Sequence, residues 1–148
     1  MQPSCDSRGH TLVDMLVVLF VLGVFLSVAV PDLGRAQRRY AAFAAARQLR
    51  ADLARVRMDA ILRGTTVTVA IDTVSGSWEA IDVGGAVLLA GRVPGSVAVR
   101  TSANRQSIPF TARGTTDLYS TTWIGPALDP EGKWHAIRVA PSGAVSTL

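Results

Sequence analysis

A chain of 148 residues with 49% hydrophobic and 18% charged side chains has room for one domain plus one membrane element. Its formal net charge of +4, carried almost wholly by Arg, permits contact with anionic lipid or nucleic acid but speaks to association rather than fold. The single cysteine, Cys5, excludes an internal disulfide, so the domain must be held by packing and assembly contacts.

A short polar leader ends at Gly9, and Gly9-His10-Thr11-Leu12-Val13-Asp14 opens an almost unbroken apolar run from Met15 to Val30. As a helix, Leu12 to Val30 would rise about 28 Å at 1.5 Å per residue, enough to span a hydrocarbon core. Asp14 is the exception in that run. An acid near a bilayer centre costs roughly 2.5–3.5 kcal/mol, and such a residue is by default functional and needs a partner. The rival reading is a secretory signal cut at Ser27-Val28-Ala29. Against it, Arg8 is the leader's only basic residue and Asp6 offsets it. A retained anchor is therefore favoured. Arg35, Arg38 and Arg39 outnumber Arg8, so a plain positive-inside count would leave the following domain in the cytoplasm. The leader motif argues for export and outweighs that count.

Past Pro31 the helical pattern continues to Arg63, where Gly64 supplies a stop. Proline removes a backbone donor and clashes with the preceding turn, so a kink is expected at Pro31. Tyr40, Phe43, Leu49, Leu53, Val56, Ala60 and Ile61 form one apolar stripe. The basic residues Arg47, Arg50 and Arg57 suit a solvated face or subunit contact better than a nucleic-acid groove. Arg55, Asp59 and Arg63 have the spacing to pair along the helix.

Strands follow. Thr65–Ile71 and Trp78–Val83 flank a Ser75-Gly76 turn as a hairpin. Further runs lie at Ala86–Val93, Val97–Arg100, Ser107–Phe110, Leu118–Ile124, Trp134–Val139 and Ala144–Thr147. Asp129-Pro130-Glu131-Gly132 reads as a type I turn. The fold class is α+β, a long N-terminal helix laid on a small antiparallel sheet. Enzymatic readings have little support. His10 and His135 are the only histidines, no cluster has metal-ligand spacing, and neither a phosphate loop nor a Gly-x-Ser-x-Gly nucleophile turn occurs. No cofactor is implied.

The N-terminal signature resembles the prepilin pattern Gly-Phe-Thr-Leu-Ile-Glu, with Pro31 falling where pilins carry a proline. The chain is similar to type IV pilin-like proteins of the GspH/FimT group of minor pilins and pseudopilins. Arg57-Met58-Asp59-Ala60 before Arg63-Gly64 resembles that group's helix end. Trp78, Ile108-Pro109-Phe110 before Gly114, and Ile137-Arg138-Val139 before Gly143 fit its strand pattern. Two departures stand out: His10 and Asp14 replace the usual Phe and Glu. Where competence-type members carry a DNA-contacting Gly-Arg-x-Arg, this chain has Gly143-Ala144-Val145-Ser146.

The resemblance implies a pilin-like fold divided into a leader (1–9), a transmembrane half-helix (10–31), an amphipathic half-helix (32–63) and a β-rich domain (64–148). It implies cleavage by prepilin peptidase between Gly9 and His10, N-methylation of His10, and an assembly salt bridge from Asp14 to a neighbouring subunit's amine. It further implies a single-pass bacterial inner-membrane protein whose domain lies in the periplasm. Its partners would be other pilin or pseudopilin subunits, initiating or capping a type IV pilus or a type II secretion pseudopilus. The alternative is a DNA-binding minor pilin for natural transformation, with Arg47, Arg50 and Arg57 as contacts.

Overall fold

A computed structural model describes residues 8–101, 105–129 and 132–148, with side chains placed except at 8–11, 28–32 and 105. Residues 1–7 of the leader, the His10 side chain and the Pro31 ring lie outside that description. The chain divides into two compact units, Met1–Gln37 and Arg38–Leu148. Among the described residues, one helix, α1 (Arg8–Arg63), is followed by eight strands: β1 (Val67–Asp72), β2 (Ser77–Asp82), β3 (Val87–Arg92), β4 (Val97–Arg100), β5 (Arg105–Phe110), β6 (Ser120–Pro126), β7 (His135–Val139) and β8 (Val145–Thr147).

In the first unit every described side chain from Leu12 to Ser27 is exposed. Leu16 and Phe20 show 59% and 73% of their surface. Helix propensity alone does not hold such a segment, and an all-round apolar helix needs a cover. The expected transmembrane span over 10–31 is not found, because among the described residues no helix is long and apolar enough to cross a membrane.

The second unit holds two antiparallel four-stranded sheets, ordered β3-β2-β1-β5 and β4-β6-β7-β8, where the sequence suggested one. After the β1-β2-β3 meander, β4 pairs with β6 in the second sheet, while β5 returns to pair with β1. Alternation fixes which way each strand faces: Val67, Val69 and Ile71 of β1 are buried and the residues between them are half-exposed. Ala42, Ala45, Ala46, Leu49, Leu53, Val56 and Ala60 of α1 join Trp78, Ile108, Phe110, Ile124, Ile137 and Val139 in one core. Tyr40, Phe43 and Ile61 of the expected stripe instead remain 75%, 45% and 40% exposed. Small alanines let a helix approach a neighbouring element closely, so the buried stripe runs through Ala42, Ala45 and Ala46 instead.

Candidate functional site

Two regions carry the residues expected to act: the exposed apolar stretch of the first unit, and the C-terminal turns of α1 with the loops they meet. In the first, Asp14 is exposed among Leu12, Val13, Met15 and Leu16, which are all more than half exposed. One carboxylate thus sits on an otherwise apolar helical surface. Farther along, Ser27 donates its hydroxyl to the Val24 carbonyl at 2.7 Å, so its polar group is satisfied within the helix.

In the second region Arg57 does structural work. Its Nε donates to the Gly114 carbonyl at 2.9 Å and its Nη2 to the Ser142 carbonyl at 3.2 Å. Gly114 closes the turn after β5, and Ser142 lies in the turn between β7 and β8. One guanidinium therefore ties α1 to a turn from each sheet. Thr116 adds a direct link by donating its N–H to the Pro141 carbonyl at 2.9 Å. The turns meet through glycine: a Cβ on Gly143, whose φ is +75°, would fall 1.8 Å from the Gly114 carbonyl oxygen. Gly114 itself has φ +72°, and a Cβ there would strike the Ile61 side chain at 2.6 Å.

Arg47 and Arg50 are exposed. Arg47 places its guanidinium carbon 5.3 Å from the centroid of Phe43, within cation–π reach. Arg50 lines a groove of about 410 Å³ with Ala54, Arg57, Met58, Ile61 and Val145. Arg47 and Arg50 also border a smaller one, of about 250 Å³, with Ala51 and Ala54. Phe43 also meets His135, with ring centroids 5.5 Å apart. Burial, and then the nearby Lys133 charge, hold the His135 pKa below its ordinary value.

Sequence reasoning missed two contacts here. Trp78, 1% exposed, donates its Nε1 proton to Asp52 Oδ2 at 2.9 Å, joining the core of the first sheet to α1. The Arg57 clasp was the second. Its signal was the pair of turn glycines, Gly114 and Gly143, which reads as punctuation until the helix is laid against both.

A helix that is exposed and apolar in one unit and packed with two small sheets in the other defines a pilin-like subunit. The family model described as type II transport protein GspH matches residues 45–143. Pilin-like protein PilA1 of Thermus thermophilus is 34% identical over 124 residues, which is 84% of this chain and 68% of that protein. Among solved structures, the type IV minor pilin FimU of Pseudomonas aeruginosa superposes with TM-score 0.60 at 17% identity, covering 71% of this chain and 86% of that one. The minor pseudopilin EpsH from the type 2 secretion system of Vibrio cholerae gives 0.61 at 14% identity, covering 72% and 95%. At those identities the two structures speak for the fold. The chain belongs to the GspH family of pilin-like proteins.

Proposed function

We propose that this chain is a minor subunit that helps initiate or cap a type IV pilus or a type II secretion pseudopilus, after prepilin peptidase has cut between Gly9 and His10 and the new His10 amine has been methylated. The observation that carries the reading is the exposed apolar stretch Leu12–Leu26 with Asp14 near its start. Such a surface needs a cover, and sister helices in a filament supply one. Covering it would strip water from the Asp14 carboxylate, and the amine at His10 of an adjacent copy is the partner that would offset this. Breaking a buried ion pair by removing one partner costs about 3–5 kcal/mol. The pair would therefore fix axial register, since a subunit out of step buries an unmatched charge.

Mass spectrometry of the mature N-terminus tests the processing step. A chain that starts at methylated His10 supports it, and a chain that starts at Val30 sinks it. For the assembly step, Asp14→Ala should lower incorporation into filaments while the level of the protein stays unchanged. Undiminished incorporation would remove the ion pair from the account.

A further inference from the structure

The C-terminal turns of α1 and the loop between β5 and β6 carry complementary features on one side of the second unit. The groove of about 410 Å³ beside α1 has an apolar floor of Ala54, Met58, Ile61 and Val145 between Arg50 and Arg57. Its size is in the range of clefts that receive an occupant, and Met58 is 54% exposed. Arg57 is committed to the Gly114 and Ser142 carbonyls. Arg50, by contrast, is exposed and has no ion-pair partner among the described residues.

The loop offers the converse. Asp117, Leu118 and Tyr119 are all exposed, the last two by 46% and 59%, and Asp117 also lacks an ion-pair partner among the described residues. The backbone that presents them is braced. Thr116 is buried, donates its N–H to the Pro141 carbonyl at 2.9 Å, and accepts the Leu118 N–H on its hydroxyl at 3.4 Å. Just before it, the Thr111 N–H donates to the Thr115 carbonyl at 2.8 Å. A knob held in this way gives up little freedom when it is covered. Knob and groove are also neighbours. Ser120, next after Tyr119, pairs with Val139, and Val139 with Val145 of the groove, a separation of two strand spacings, or about 10 Å.

From this arrangement we propose that two copies of this chain dimerise through this side of the domain. The Asp117-Leu118-Tyr119 knob of each enters the groove of the other, with the Asp117 carboxylate meeting Arg50 of the partner subunit. Because knob and groove adjoin, a two-fold axis between the copies satisfies both contacts at once and closes the assembly. Leu118 and the groove floor supply apolar burial, while the charge pair sets the register. The acid at the rim is what selects a second copy. A polyanion or an acidic peptide would answer Arg50 and be repelled by Asp117, whereas the chain itself carries the matching set. The inference concerns the second unit alone and does not rest on the filament reading.

The test is sedimentation equilibrium of the full-length chain, purified in mild detergent, over a range of protein concentrations. A monomer–dimer equilibrium is expected. Asp117→Arg and Arg50→Asp should each weaken dimerisation about tenfold or more, since a close interfacial pair is lost and like charges then meet. Mixing these two variants should restore it, because their heterodimer sets opposite charges against each other at both contacts. Leu118→Ala should weaken it without changing the circular dichroism melt. A chain that stays monomeric at every concentration would overturn the proposal. So would a dimer indifferent to both charge reversals, which would place association on the exposed apolar stretch of α1. Failure of the mixture to recover, or growth into open polymers in place of dimers, would overturn the two-fold contact as well.

Discussion

Arg57 Nε lies 2.9 Å from the Gly114 carbonyl oxygen, and through this bond the helix holds the turn that leads from the first sheet to the second. Its second bond, to Ser142, closes the clasp on the opposite side. Hydrogen bonds that involve a charged group contribute about 1.5–3 kcal/mol. Arg57→Ala should therefore destabilise the protein by about that much in denaturant unfolding. Arg57→Lys should recover only part of it, because an ammonium lacks the planar fork that reaches two carbonyls at once. The exposed Arg55, truncated to alanine, should stay within about 0.5 kcal/mol of the parent.

Asp52 and Trp78 form a second tie between helix and sheet. Asp52→Ala would leave the indole N–H of a fully buried ring without an acceptor, a cost of about 1–3 kcal/mol. Asp52→Asn keeps an amide oxygen available and should cost less. Thermal melts of the two variants, compared at the same pH, would show the order; equal losses would mean that the bond is not what holds Trp78.

Glycine substitutions should separate by what surrounds them. Gly64 and Gly143 both have positive φ, +64° and +75°, but nothing lies within 4 Å of a Cβ at Gly64. Gly64→Ala should then cost about 1–2 kcal/mol, the left-handed penalty alone. Gly143→Ala adds a collision with the Gly114 carbonyl and should exceed about 4 kcal/mol, in the range reserved for severe lesions. Soluble yield and melting temperature would measure both.

His135 makes stability depend on pH. Its folded pKa is lowered, by burial first and by Lys133 second, so below 6.5 the unfolded chain binds its proton before the folded one does. The unfolded state then holds more protons, and stability falls as pH drops. The contribution is complete above about pH 6.5 and is lost as pH descends through the folded pKa. His135→Gln should flatten the melting temperature between about pH 7 and pH 5 relative to the parent. An unchanged slope would place the pH response elsewhere.

Much of the fold was readable from local pattern. Apolar alternation and short apolar runs between turns located the strands to within a few residues, and in β1, β4 and β7 the alternation matches one buried face. The helix stop at Gly64 was also legible: its φ of +64° is a conformation glycine adopts freely. Pairing order was not legible, since nothing in Val97–Arg100 or Ser107–Phe110 says which sheet will receive it. The helix stripe was misjudged for a similar reason. Period marks a side of a helix, but which neighbouring column is buried depends on side-chain size. Ala42, Ala45 and Ala46 fit where Tyr40 and Phe43 would hold the sheets away. Arg57 looked like one of three comparable surface cations. Only tertiary contact distinguishes it from Arg47 and Arg50.

The exchange of β4 and β5 between the sheets acts like a stitch through cloth. Thread leaves the first layer, catches the second and comes back, so neither layer can be lifted off while the other stays intact. Such a body should melt in a single transition and resist limited proteolysis as a whole. Dividing the gene anywhere in Val97–Phe110 should yield two fragments that are each unfolded when expressed alone.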